Sequence, residues 1–201
     1  MLTSQADLTA ARETFQSALK LRNAAGEKQT AHETQVVLAE LAIEEGRVAE
    51  VDTPLRQAEK EFHNEQQTDD EISAAVALAK AMLAEGRVAE ARAKMDSTTK
   101  LAEKSHSRAV RLNWGITAGR VRLAAGKLED ARSGLEAVLR EATKAGFVSY
   151  QFEARLALGE MERKKGHMVT ARANLASLEK EAKAKGFGLI ARKAAAALKQ
   201  T

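Results

Sequence analysis

The sequence predicts an all-α fold, a right-handed α-solenoid of about ten helices with a repeat of forty residues. The hexapeptide EGRVAE occurs at residues 45–50 and again, forty residues later, at residues 85–90. The composition, with one proline, 3% aromatic residues and abundant alanine, leucine, glutamate, lysine and arginine, favours helices over strands. Helical hairpins that recur at a fixed period stack into a solenoid, because a single hairpin cannot bury its own apolar face.

A glycine recurs at the same step and divides each repeat into two helices. We call the helix before this glycine helix A and the helix after it helix B. Glycine suits the turn between them because it ends a helix in the left-handed conformation at little cost. A second glycine, at Gly146 and Gly186, marks the end of helix B. The turn glycines are Gly46, Gly86, Gly126 and Gly166, and Ala6 holds the corresponding first position.

The two helices of a repeat differ in their pattern of apolar residues. Helix B carries a single apolar stripe at spacings of three and four, as at Leu55, Ala58 and Phe62, which is typical of a helix with one buried face. In helix A the segment 36–43, VVLAELAI, is interrupted only by Glu40, so this helix is predicted to be enclosed on most sides. The predicted helices span about 6–24, 29–45, 48–64, 69–85, 88–105, 108–125, 128–145, 148–165, 168–185 and 188–199.

Three features depart from a regular array. Pro54 lies where the other repeats continue helix B, so this helix either starts late, with Asp52 or Thr53 as its cap and Pro54 in first position, or is kinked. The register opens on a helix B without a preceding helix A, which predicts that residues 1–201 are a single repeat domain and a fragment of a longer protein. Trp114 replaces a small residue of helix A and is interpreted as core filling.

The spacing of these positions resembles the tetratricopeptide repeat (TPR) pattern over essentially the whole chain. The pattern comprises a leucine–glycine pair, a turn glycine and a following alanine, although the period here is forty residues where the TPR has thirty-four. The usual large aromatic residue is absent from most A helices, and no proline closes helix B. Longer units of this kind resemble those in the C-terminal parts of bacterial transcription regulators and signalling kinases. The matching positions are Leu158, Gly159, Gly166, Ala171, Leu175 and Leu178 in one repeat and Ala118, Gly119, Gly126, Ala131, Leu135 and Val138 in another.

Motifs for catalysis, cofactor binding and metal binding are missing from the sequence. Gly126 and Lys127 are followed by Leu128, where a phosphate-binding loop requires serine or threonine. The four histidines lie in different repeats, and none has a second ligand at a metal-binding spacing. The lack of cysteine removes disulfides, thiolate metal sites and cysteine nucleophiles. The sequence therefore predicts no enzyme, no catalytic residues, no cofactor and no metal.

Hydropathy and charge limit the cellular location and the kinds of partner that the sequence allows. The N-terminus has no basic segment followed by an apolar one, and no stretch approaches the roughly 18 uninterrupted apolar residues of a membrane span, so we expect a soluble cytoplasmic protein. Residues 1–100 contain 12 basic and 18 acidic residues, whereas residues 101–201 contain 20 and 10. Nucleic-acid binding by the basic half is the least favoured binding hypothesis, because its basic residues alternate with acids and are not interleaved with aromatic residues.

A non-catalytic protein–protein interaction scaffold is the predicted function, and a regulatory or sensor domain of a larger bacterial regulator or kinase is the alternative. By resemblance to the TPR groove, one face of the A helices lines a concave surface that holds a peptide or a helix. Its apolar residues would form a floor crossed by a ladder of charges, acidic at Glu40 and basic at Lys80 and Arg120. The alternative is that neighbouring helices of a tight superhelix cover the apolar residues, which are Val36, Val76, Ile116 and Leu156. A partner with apolar anchors and an acidic centre would fit this order. The predicted partner-binding residues are Val36, Glu40, Ile43, Val76, Lys80, Leu83, Ile116, Arg120, Leu123, Leu156, Glu160 and Arg163.

Overall fold

A computed structural model describes residues 8–199, which are helical apart from short turns. No strand occurs in this range, so the predicted all-α fold is confirmed. The predicted start of the first helix at residue 6 lies outside the described residues. Eleven helices replace the ten predicted, because the fifth is broken into two. They are α1 (Leu8–Ala24), α2 (Lys28–Glu44), α3 (Asp52–Asn64), α4 (Thr68–Ala84), α5 (Val88–Ser97), α6 (Thr99–Lys104), α7 (Arg108–Ala124), α8 (Leu128–Lys144), α9 (Val148–Lys164), α10 (Met168–Ala184) and α11 (Gly188–Lys199).

The helices fall into two compact units, and the boundary lies within α7. The first unit comprises residues 8–117 and the second begins at residue 118. In the first unit α2 and α4 are A helices, and α1, α3 and the pair α5–α6 are B helices. In the second unit α9 and α11 are A helices, and α8 and α10 are B helices. Each unit therefore has the alternation of A and B helices that the forty-residue step predicts.

Each turn glycine ends its helix A in the left-handed conformation. Gly46 and Gly86 have φ angles of 78° and 76°. At the first of these turns the Gly46 N–H donates to the Ile43 carbonyl over 3.0 Å, and the Arg47 N–H donates to the Ala42 carbonyl over 2.8 Å. This pair of bonds is the Schellman arrangement, which satisfies carbonyl groups at the end of a helix.

The duplicated hexapeptide adds the same ion pairs to two of these turns. Arg47 Nη2 lies 2.6 Å from Glu45 Oε2, and Arg47 Nη1 lies 2.5 Å from Glu50 Oε2. Forty residues later, Arg87 lies 2.8 Å from Glu85 and 2.6 Å from Glu90. The hydrogen bond from Arg47 lowers the pKa of the Glu45 carboxyl. The repeated EGRVAE segment is therefore a structural turn in which one arginine bridges two glutamates.

Pro54 delays the start of its helix B, as one of the two alternatives predicted. A 3₁₀ turn, Val48–Glu50, precedes α3, and Val51 is the residue at the helix cap. Pro54 is the third residue of α3, where a backbone N–H has no partner within the helix, and Leu55 makes the first bond, to the Val51 carbonyl over 3.1 Å. The predicted caps at Asp52 or Thr53, and Pro54 in first position, are therefore wrong by one or two residues.

The predicted helix 88–105 is broken at Thr98, which separates α5 from α6. The Thr98 side chain is buried although the equivalent position of α3 and α10 holds Ala58 and Leu178. Its Oγ1 accepts a hydrogen bond from Trp114 Nε1 over 3.0 Å and lies 3.2 Å from the Met95 carbonyl. Trp114 is half-buried. The tryptophan thus fills space beside helix B and also satisfies a buried hydroxyl at the point where that helix is interrupted.

Candidate interaction surface

The apolar floor predicted for the A helices is absent. The exposed fractions of Val36, Val76, Ile116 and Leu156 are 7%, 1%, 4% and 0%. Leu123, with 8% exposure, is also buried. A partner could not reach these side chains without moving a helix, so the open floor is wrong and the alternative, coverage by neighbouring helices, is confirmed.

Direct packing between successive A helices accounts for the burial of Val36, Val76 and Leu156. In the first unit α2 contacts α4, and in the second unit α9 contacts α11, although a helix B lies between each pair in the sequence. Leu156 belongs to a buried cluster that includes Phe152 of its own helix and Ala194 of α11. Sequence periodicity showed that these residues face other helices, but it did not distinguish a groove from a closed helix-to-helix contact.

Four charged residues of the predicted surface remain accessible but form ion pairs, Glu40 with Lys80 and Arg120 with Glu160. Glu40 and Lys80 occupy equivalent positions of α2 and α4, and Lys80 Nζ lies 2.7 Å from Glu40 Oε1. Their side chains are 37% and 31% exposed. The pair links two neighbouring A helices at the surface of the first unit. Lys80 is therefore partly neutralised before any partner binds.

The second unit has an equivalent ion pair in which the order of the two charges along the sequence is reversed. Arg120 Nη1 lies 2.8 Å from Glu160 Oε2, so the basic residue comes first in the sequence here and the acidic residue second. Arg120 also lies 3.4 Å from Glu153, whose other oxygen is 4.0 Å from Lys193 Nζ of α11. These four residues form a chain of alternating charges across α7, α9 and α11.

Glu153 and Lys193 are residues that the sequence-based prediction missed. They are separated by the same forty-residue step as Glu40 and Lys80, and they have opposite charges. A search for opposite charges at equivalent positions of adjacent repeats would have found both pairs. The prediction instead treated each charge as available to a partner.

The residues near the C-terminal ends of the A helices differ between the units. In the first unit Ile43 and Leu83 are half-buried and supply accessible apolar surface. In the second unit Arg163 is half-buried, and its Nε atom is buried without a hydrogen-bond partner among the described residues. Lys164 donates from Nζ to the Leu123 carbonyl over 2.7 Å, at the end of α7. Lys164 therefore has a structural role.

Three carboxylates lie close together near the N-terminal ends of α2 and α4. Burial raises the pKa of the Asp70 carboxyl, and the negative charges of Glu33 and Asp69 raise it further. Asp69 accepts a hydrogen bond from the Ser105 hydroxyl over 2.5 Å. This end of the A-helix surface is thus acidic in the first unit.

The histidines make local contacts that do not resemble a metal site. His63 Nδ1 lies 3.1 Å from Glu71 Oε1, and His167 Nδ1 lies 2.7 Å from Glu162 Oε2. His32 packs edge-on against a phenylalanine ring. Among residues 8–199, no three histidine, aspartate or glutamate side chains converge in a way that could hold a metal ion. Over the same range, no helix has the length and hydrophobicity of a membrane span.

Comparison with known proteins supports the repeat architecture. No family model and no curated protein sequence matches the chain. A crystal structure of nearly identical TPR-like repeats, from a candidate kinesin light chain of Podospora anserina, is similar with a TM-score of 0.58 and 18% sequence identity. The similarity covers 92% of this chain and 90% of that one. The chain has the TPR-like repeat fold. At this level of identity the similarity concerns the TPR-like fold alone, and the long period of forty residues is accommodated within it.

Proposed function

We propose that the chain is a non-catalytic protein-interaction scaffold that binds a peptide or a helix on the accessible surface of its A helices. The TPR-like fold supports this proposal because helical repeats present extended surfaces built from equivalent positions of successive units. The observation that carries it is the pair Glu40–Lys80, whose side chains are paired with each other yet remain about one-third exposed. Burial of both charged groups in the core would carry a large desolvation penalty. At the surface the ion pair is weak, so either group can bind a charged group of a partner instead.

The surface of the first unit suits a partner with apolar and charged groups in alternation. Ile43 and Leu83 are half-buried and lie one turn beyond Glu40 and Lys80 on α2 and α4. A partner helix or extended peptide could cover these two apolar side chains and place its own charges against the ion pair. Because Lys80 already has a carboxylate partner, the proposed partner offers both signs of charge at this point, in place of a purely acidic centre.

A selection from a random peptide library displayed on phage, followed by fluorescence anisotropy with the selected peptides, tests the proposal. The informative variant is the exchange Glu40→Lys with Lys80→Glu, which keeps an ion pair but reverses its order. We expect it to weaken peptide binding by about tenfold or more, since like charges then face each other across the interface. The control Lys60→Gln, on α3, should bind the peptides unchanged.

Two results would contradict the proposal. One is a selection that yields no peptide whose binding saturates. The other is equal affinity of the selected peptides for the wild type and for the exchanged variant, provided that circular dichroism shows the same helicity for both. Either result would exclude this A-helix surface as the binding site.

A further inference from the structure

A basic residue recurs at one exposed position in all five B helices. It lies fourteen residues after the turn position, and we call the set the B-helix basic row. All five side chains are exposed, three in the first unit and two in the second. The members of the row are Lys20, Lys60, Lys100, Arg140 and Lys180.

Exposure alone does not give a B-helix position a constant charge. Seven residues before the row, each B helix has a position that is also exposed but varies freely in charge and size. Variation of this kind is expected where solvent is the only neighbour. The residues at this comparison position are Glu13, Thr53, Ala93, Ser133 and Ala173.

In α3 and α10, the side chain of the row points away from the face that carries the buried residues. Successive residues of an α-helix are separated by about 100°, so Lys60 lies at least about 140° from Leu55 and Phe62, which are buried. The same relation holds between Lys180 and Leu178 of α10. The basic groups therefore lie on the outer surface of the B helices, on different helices from the A-helix surface.

The row has no partner within the described part of the chain. Between residues 8 and 199, none of the five side chains takes part in an ion pair or a hydrogen bond. This contrasts with Lys80 and Arg120 of the A helices, which form ion pairs. A basic residue also favours the C-terminal end of a helix through the helix dipole, but the dipole acts throughout the last turn. In α8 and α10 that turn already contains Lys144 and Lys183.

We propose that, within each unit, the members of the B-helix basic row bind the phosphate backbone of a nucleic acid without reading its sequence. Four of the five residues are lysine and one is arginine, so the position requires a positive charge and not the planar fork with which arginine recognises a carboxylate. Lysine contacts phosphate as a point charge. One neighbouring outer position, three residues before the row, holds only small or polar residues, which cannot stack on bases. They are Ser17, Gln57, Ser97, Ala137 and Ser177. Contacts of this kind would be electrostatic and strongly dependent on salt.

The test compares two triple variants of the full chain that lose the same charge. The first changes the three row residues of the first unit, Lys20→Gln, Lys60→Gln and Lys100→Gln. The second changes three exposed lysines outside the row, Lys28→Gln, Lys127→Gln and Lys183→Gln. Binding of a fluorescein-labelled, mixed-sequence duplex of thirty base pairs is measured by anisotropy at several salt concentrations.

We expect the row variant to bind the duplex at least about tenfold more weakly than the wild type at low salt, and the control variant to differ by less than about twofold. The slope of log affinity against log salt should fall by about 2 to 3 in the row variant, because each lost phosphate contact removes about 0.9 from it. Equal weakening by the two variants would overturn the proposal, since net charge alone would then account for binding.

Two competition experiments determine which class of anionic ligand binds the row. Vesicles containing phosphatidylserine and a polyglutamate peptide are titrated as competitors of the labelled duplex. If either binds the wild type more tightly than the duplex and depends on the same three lysines, the row recognises a membrane surface or an acidic polypeptide, and the proposal fails. Absence of any duplex binding by the wild type at low salt would also overturn it. A result in which only the duplex depends on the row supports it.

Discussion

The side chain of Leu135 packs against the backbone of Gly119, so closely that a β-carbon on this glycine would lie 2.6 Å from Leu135 Cδ2. Gly159 and Leu175, forty residues later, repeat the contact at 2.7 Å. In each pair the glycine belongs to helix A and the leucine to helix B of the same hairpin. The glycine of the leucine–glycine pair in the TPR-like pattern thus lies where helix A and helix B approach each other directly.

Gly119→Ala and Gly159→Ala are expected to destabilise the second unit. Alanine normally stabilises a helix interior by about 1 kcal/mol relative to glycine. Here its methyl group would overlap the branched end of a buried leucine, and overpacking of a core costs about 1–3 kcal/mol. Urea unfolding monitored by circular dichroism measures the difference. Gly134→Ala is the matched control, because only the mobile end of Arg122 lies within 3.1 Å of its added β-carbon. If Gly119→Ala is as stable as Gly134→Ala, the close approach does not limit the fold.

Gln66→Gly is expected to stabilise the first unit. Gln66 has a φ angle of 58° at the turn after α3, where Gly146 and Gly186 occupy the equivalent positions of the second unit. A left-handed conformation costs a residue with a side chain about 1 kcal/mol or more, and glycine avoids most of this cost. The melting temperature should therefore rise. The reciprocal change Gly146→Gln should lower it, and a fall in both variants would contradict the explanation from backbone strain.

Thr98→Val is expected to lower stability by about 1 kcal/mol, because it leaves the Trp114 N–H without its acceptor while it preserves the shape of the side chain. Trp114 is the only tryptophan, so its fluorescence reports on this site directly. Thr99→Val is the control, since the Thr99 hydroxyl bonds only to a carbonyl of the preceding turn. A shift of the emission maximum in both variants, or in neither, would argue against a specific role for the Thr98 hydroxyl.

Asp70→Asn is expected to stabilise the protein at neutral pH and to have no effect at low pH. Burial and the charges of Glu33 and Asp69 raise the pKa of Asp70 in the folded state. A raised pKa means that the ionised group opposes folding at higher pH, and this opposition is lost as the pH falls towards the usual value of 3.8. Denaturation at a series of pH values measures the difference between variant and wild type. Asp130→Asn removes an exposed acid from the first turn of α8 and should not stabilise. A stabilisation by Asp70→Asn that persists at pH 3 would contradict the electrostatic cause.

The repeat made the fold predictable, because Gly46 and Gly86 identify the same turn twice and the stripes between them have the period of a helix. The two errors in the helices both arise from single residues. Pro54 displaces the start of α3, and Thr98 interrupts a stripe that otherwise reads as continuous. The accessibility of Val36 was not predictable in this way, since burial depends on how closely α2 approaches α4 in space. Likewise, the charge of Lys80 was evident from the sequence, but its ion pair with Glu40 required the packing of two helices.

The ion pairs of the A helices couple each repeat to one neighbour of opposite sign. Glu40 is matched by Lys80, and Arg120 is matched by Glu160, at one and the same repeat position. Duplication of the Glu40 repeat alone would place glutamate beside glutamate at that position, whereas duplication of two repeats together would preserve every such pair. Insertion of the Glu40 and Lys80 repeats together, which adds eighty residues, would therefore keep each of these charges matched, whereas insertion of the Glu40 repeat alone would leave one glutamate without a basic partner.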